Sequence, residues 1–113
     1  MKILVCGGRD FRDYRELFSI LCDYVGPELE IVHGDARGAD TGADVFARVY
    51  GIKVTPFPAK WDRYGTAAGV IRNKAMLSYG IDLVIAFPGG RGTANMVKQA
   101  EKRGIPIKIV TLS

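Results

Sequence analysis

Three segments of this 113-residue chain join glycine to arginine: GGRD at 7–10, GDARGAD at 34–40 and PGGRGT at 88–93. Each follows a short apolar run and leads toward a helical pattern. Glycine lets the backbone approach a bound group closely and aim its N–H groups inward. A helix starting there adds about half a positive charge. Arginine supplies a planar fork of donors that suits phosphate oxygens. The combination predicts a phosphate site. Its candidate residues are Gly7, Gly8, Arg9 and Asp10 in the first segment and Gly34, Arg37, Gly38 and Asp40 in the second. The third segment adds Pro88, Gly89, Gly90, Arg91, Gly92 and Thr93. One arginine in a loop is ordinarily a solvated charge. Three, each in a glycine loop at the same sheet edge, favour a ligand.

The neighbouring polar and aromatic residues have two readings each. Thr93 either bonds the anion through its hydroxyl or caps its helix. Asp10 and Asp35 orient an arginine, accept ribose hydroxyls, or serve as caps. Asp40 precedes the second helical pattern and reads first as an N-cap. His33, the lone histidine, either contacts the ligand or is structural. Trp61 lies with Arg63 and Tyr64 in the irregular stretch PAKWDRYGT, 58–66. It either stacks on a base or plugs the sheet edge.

Several chemistries are disfavoured. After the first apolar run the residues are CGGRDF, so the G-x-G-x-x-G dinucleotide fingerprint is missing. No acid ends the second run to hold a ribose, since His33 stands there, and no G-x-x-x-x-G-K-[ST] occurs. NAD chemistry and a P-loop ATPase are therefore set aside, and no cofactor is expected. A second histidine is lacking, Cys6 and Cys22 have no metal-ligand spacing, and no Ser–His–Asp set is readable. No metal site is expected, and both cysteines read as buried, reduced thiols.

The elements that must position these loops are legible. Five runs rich in branched or aromatic residues read as strands: KILVC (2–6), LEIVH (29–33), KVTPF (53–57), DLVIAF (82–87) and IKIVTL (107–112). All but the third are nearly continuous in Ile, Leu and Val, as parallel strands buried on both faces are. The third carries Pro56, which belongs at a sheet edge. Helical patterns lie between the runs. Tyr14, Leu17, Phe18, Leu21, Cys22 and Val25 form the clearest stripe, with Asp13 as N-cap and Gly26-Pro27 as stop. Others cover about 40–50, 67–79 and 93–103, ending at Gly51, Gly80 and Gly104.

The alternation predicts an α/β fold: one Rossmann-like, doubly wound domain over residues 1–113. Its five-stranded, mainly parallel sheet has the order 3-2-1-4-5 and about four flanking helices. Right-handed crossovers then set the first and fourth strands side by side, winding apart, and ligands bind at such a reversal. Bulk properties agree. Hydrophobic residues make up 48% and the net charge is +4, which suits a packed core and anionic partners. The opening MKILVCGG is too short for a signal peptide, and no apolar run approaches a membrane span. A cytoplasmic protein without membrane contact is expected.

The motifs CGGRD, HGDARGAD, AAGVIRNKAM and AFPGGRGT, in this order and over nearly the whole chain, resemble the SLOG superfamily. The likeness is greatest to its small YspA-type (cpYpsA-related) branch. The superfamily includes the LOG phosphoribohydrolases and the Smf/DprA recombination mediators. The resemblance implies a Rossmann-like sheet and a nucleotide-type ligand over the glycine loops. Arg72 is similar to a LOG arginine, Asn73 and Asp40 match the YspA-type pattern, and Gly89, Gly90, Gly92 and Thr93 match the phosphate loop. The LOG pattern P-G-G-x-G-T-x-x-E ends in a glutamate that serves glycosidic cleavage. Met96 stands at that position here and can neither take nor give a proton.

The expected function is therefore binding of a nucleotide or nucleotide-derived ligand, ADP-ribose-like or a nucleoside phosphate, as a sensor or binding module. Two alternatives are a nucleotide hydrolase with Asp10, Asp35 or Asp40 replacing the glutamate, and single-stranded DNA binding. The basic residues are interspersed with acids and form no aromatic-and-basic stripe, which disfavours the DNA reading. By the same resemblance, a homodimer through helices is expected.

Overall fold

The structure is a computed structural model and describes residues 1–111. Five strands form one sheet in the order β3-β2-β1-β4-β5. They are β1 (Lys2–Cys6), β2 (Glu30–His33), β3 (Lys53–Pro56), β4 (Leu83–Ala86) and β5 (Ile107–Ile109). Every pairing is parallel, with Ile3 opposite both Ile31 and Leu83, and Val84 opposite Ile107. The expected order and the edge position of the Pro56 strand are thus what the chain adopts. The part of the fifth run at residue 112 lies outside the described residues.

Side-chain alternation divides the core. Ile3, Val5, Ile31 and Ile85 face one way and pack on Leu17, Leu21 and Phe46. Leu4, Cys6, Val32 and Val84 face the other way and pack on Met76, Met96 and Ala100. Both faces are covered over the central strands, which is why β1 and β4 show apolar runs rather than alternation. The fifth run departs from the expectation, because as an edge strand β5 stops at Ile109 and leaves Lys108 and Ile109 exposed. The first layer is made by α1 (Tyr14–Cys22) and α2 (Ala39–Val49). The one-turn α3 (Trp61–Tyr64) leads through a 3-10 turn, Gly65–Ala67, into α4 (Ala68–Leu77), and α5 (Arg91–Lys102) completes the second layer.

Helix boundaries depart from the sequence reading at several places, among them the end of α4 at Leu77 rather than 79. The first helix stops at Cys22 rather than near Val25, because the Asp23 N–H bonds Ile20 in a tightened last turn and the chain leaves for β2. Its start is as expected, with the Asp13 carboxylate accepting the Glu16 N–H at 3.1 Å. The stretch 58–66 is not irregular throughout, since α3 occupies its second half. All four α3 residues are exposed, so no apolar period marks the turn. The last helix begins at Arg91, two residues early, because glycines conceal its first turn. Gly51, at φ +65, ends α2 as its sequence position suggests.

Candidate functional site

The chain winds away from β1 in one direction and from β4 in the other, and these strands are neighbours. Their loops meet beyond the carboxyl ends, where the Gly8 N–H donates to the Pro88 carbonyl at 2.9 Å. The approach is close enough to demand glycine. A Cβ on Gly7 would lie 2.6 Å from the Ala39 Cβ, and one on Gly89 would lie 2.6 Å from the Gly8 nitrogen. Gly90 and Gly92 are different. A Cβ on either would meet nothing within 4 Å, and neither takes a positive φ. The fold itself gives no reason for glycine at these two positions.

Helix α5 starts just here, with Gly90 as N-cap and no capping side chain. Among the described residues, the N–H groups of Gly89, Gly90, Arg91, Gly92 and Thr93 have no intramolecular acceptor. These five residues border a cleft of about 780 Å³. Thr93 is in the third helical position, so it lines the cleft and does not cap.

The loop after β2 closes one side. Asp40 is buried in the first turn of α2, and its Oδ2 accepts the N–H groups of Gly34 at 3.1 Å and Ala36 at 3.2 Å. The N-cap position of α2 belongs to Gly38, which corrects the capping reading of Asp40. Gly38 takes φ +80, a Cβ there would strike the Gly8 carbonyl, and its own carbonyl accepts the Tyr14 hydroxyl at 3.0 Å. It shapes the loop and does not line the cleft.

Arg72 and Asn73 on α4 tie the loops together. The Arg72 guanidinium donates to the Gly34 carbonyl through Nη1 and to the Asn73 Oδ1 through Nε at 3.0 Å. The Asn73 amide donates to the Gly92 carbonyl at 3.2 Å and to Asn95 Oδ1 at 3.1 Å. Burial draws the Arg72 pKa below its ordinary value, with Asp40 opposing that shift. Burial pushes the Asp40 carboxyl upward against the pull of the Ala36 N–H and Arg72. Cys6 lies at the cleft floor with its thiol pushed up to about 12 by burial and Asp40, so it stays protonated. The reading of Cys6 as an inert, buried thiol holds. Cys22 is exposed, contrary to expectation, because it sits at the outer end of α1.

His33 is structural. Its Nδ1 accepts the Asp35 N–H at 2.9 Å, so the ring proton lies on Nε2, which donates to Asp44 Oδ2 at 2.7 Å. Both ring nitrogens are used within the protein. Asp44 also accepts from Arg48. The adjacent Asp35 is held at φ +58, the one non-glycine residue with positive φ among those described.

The open rim of the cleft carries Arg9, Asp10 and Arg91, and Pro88 is part of its wall. Trp61 is 48% exposed, and the Arg9 guanidinium stands 5.8 Å from its ring centroid. Of the sequence candidates, Arg37, Gly38, Asp35 and His33 do not line this cleft. Arg37 borders a smaller adjoining pocket of about 300 Å³, which shares Arg9, Trp61 and Arg72 with the first. Sequence reasoning missed Val5, Cys6, Phe11, Ala36, Gly69 and Met76. Gly69, Arg72, Asn73 and Met76 follow helical spacing, so the Arg72 face of α4 carried a usable signal. Met96, at the position of the LOG glutamate, is 1% exposed in the second core layer and does not line the cleft. Among the described residues no cluster of potential metal ligands occurs, and no helix is long and apolar enough to cross a membrane.

Residues 1–64 match the family model described as YspA, cpYpsA-related SLOG family. The Gene 61 protein of Mycobacterium phage D29 is 40% identical over 116 residues, covering 94% of this chain and 93% of that protein. The X-ray structure of DNA processing protein A (DprA) from Streptococcus pneumoniae is similar at TM-score 0.80 and 20% identity. That likeness covers 99% of this chain but 50% of the DprA chain, so this chain spans about half of it. It establishes a shared Rossmann-like fold.

Proposed function

We propose that this chain, which belongs to the YspA, cpYpsA-related SLOG family, binds a nucleotide or nucleotide-derived ligand through its phosphate in the cleft between the β1 and β4 loops. One observation carries the reading. Five successive N–H groups, Gly89 to Thr93, lack an internal acceptor, and Gly90 and Gly92 leave them uncovered for no steric reason of the fold. An anion satisfies those donors, and the start of α5 favours its charge.

The surrounding groups fit a nucleotide rather than bare phosphate. Arg91 and Arg9 supply charge at the rim, and the Thr93 hydroxyl adds a donor. Arg72 and Asn73 hold the two facing loops in register. Trp61 offers an exposed ring on which a base stacks, and Asp10 is an acceptor for a ribose hydroxyl. Charge-assisted bonds of about 1.5–3 kcal/mol each bring such a ligand into the micromolar range. A sensor or binding module working in the cytoplasm, as a homodimer, fits this reading. Isothermal titration against nucleoside mono- and diphosphates and ADP-ribose tests it. Saturable binding of at least one member is expected, and a folded protein that binds none contradicts it.

Hydrolysis is the second reading, favoured by Asp40 alone: a buried carboxyl whose proton is held above its ordinary pKa at the cleft wall. Met96 is buried in the core, and the one glutamate of α5, Glu101, does not line the cleft, so no glutamate works with it there. Incubation with nucleoside monophosphates is expected to release neither base nor phosphate. Release that stops in Asp40→Asn would establish turnover instead.

A further inference from the structure

The smaller pocket beside the main cleft has a charge pattern of its own. Arg9, Arg37 and Arg72 border it against a single acid, Asp35, and Pro58 and Trp61 supply apolar wall. Arg37 is exposed, and among the described residues it makes neither a hydrogen bond nor an ion pair. Its guanidinium is therefore uncommitted, unlike that of Arg72, which is tied to Gly34. Asp35 takes a positive φ and donates its N–H to His33, and non-glycine residues in that region cluster at functional sites. Arg9, Trp61 and Arg72 border both pockets, so one molecule can reach from one into the other along a continuous wall.

We infer that the pocket bordered by Arg37 is a second anion subsite, and that the ligand is a nucleotide carrying two separate phosphate groups. One phosphate sits on the N–H groups of Gly89 to Thr93. The nucleoside lies along Trp61, and the second phosphate reaches Arg37 and Arg9. Three guanidinium groups against one carboxylate leave the subsite positive, and arginine forks match phosphate oxygens in geometry as well as charge. This inference rests on the nucleotide reading above and narrows it to a bisphosphate class.

The experiment compares, by isothermal titration, the 5′-monophosphates and the 3′,5′-bisphosphates of the four common ribonucleosides. Wild-type protein and Arg37→Ala are measured in parallel. Bisphosphates are expected to bind at least tenfold more tightly than monophosphates of the same base. Arg37→Ala is expected to abolish that advantage while leaving monophosphate affinity as it was. Equal affinity for the two ligand types, or equal weakening of both by Arg37→Ala, overturns the second subsite and leaves the nucleotide reading standing. Binding of none of the eight overturns the second subsite, and failure of nucleoside diphosphates and ADP-ribose as well overturns the nucleotide reading.

Discussion

At the residue scale, the glycines separate into two kinds that sequence alone shows as one. Gly7 and Gly89 are required by the backbone crossing, whereas Gly90 and Gly92 have empty space where a side chain would be. Gly92→Ala is therefore expected to keep or raise the melting temperature, since alanine is the better helix former by about 1 kcal/mol. The same change should weaken nucleotide binding at least tenfold in a titration, by narrowing the approach to the free N–H groups. Gly7→Ala is expected to do the opposite. Its Cβ would press on Ala39, and overpacking of that kind costs about 1–3 kcal/mol, visible as a lowered denaturant midpoint. Similar stability losses in both variants would refute the distinction. Asp40 shows where sequence reading fails at this scale. Its place before a helical pattern suggests a cap, but its partners are the N–H groups of Gly34 and Ala36, set by a turn that no local period encodes.

At the element scale, β2 carries a pH-sensitive contact remote from the cleft. Glu30 is buried, which raises its pKa. Bonds from Thr55 at 2.7 Å and Tyr79 at 2.8 Å, with Lys53 nearby, more than offset this and hold it below the usual 4.5. A carboxyl lowered in the folded state contributes stability above its unfolded pKa and loses it as pH falls through the folded pKa. Asp44, held down by Arg48 and His33 against the effect of burial, acts with the same sign. Asp40, raised by burial, has the opposite sign: its favourable contribution is complete below the unfolded pKa and fades as pH rises through the folded one. Glu30→Gln is therefore expected to cost about 1 kcal/mol at pH 7. Its deficit against wild type should close as pH drops below 4.5, as read by thermal melts across pH. A deficit independent of pH would show that packing, not ionisation, is what Glu30 supplies.

The same scale shows what was legible. The runs of β1 and β4 are legible because burial on both faces leaves them almost wholly apolar, and Pro56 marks the edge of the sheet. The turn at Trp61–Tyr64 is not, because it buries no residue and so has no stripe. The start of α5 lies two residues before the sequence pattern, because a glycine-rich first turn has the composition of a loop. Arg37 and Arg91 looked equivalent in the sequence. Only the crossover of the chain separates them into adjoining hollows.

For the whole molecule, the doubly wound order places three loops from distant parts of the chain at one edge of the sheet. Asn73 and Arg72 then fasten them from α4. Asn73 is 4% exposed and contacts both the Gly92 carbonyl and Asn95. Asn73→Ala is expected to cost about 1–3 kcal/mol and to loosen the Gly89–Thr93 loop, seen as faster amide exchange there. Unchanged exchange would mean that the loop is held by its own backbone alone. The net charge of +4 supports anion binding over the whole surface, so affinity by itself does not locate the site. Location is what the central claim requires. Titration of nucleoside 5′-monophosphates into uniformly 15N-labelled protein, read at each backbone amide, supplies it. Saturable shifts centred on Gly89, Gly90, Arg91, Gly92 and Thr93 are the predicted result, and shifts that do not saturate, or that saturate elsewhere with these amides still, contradict it.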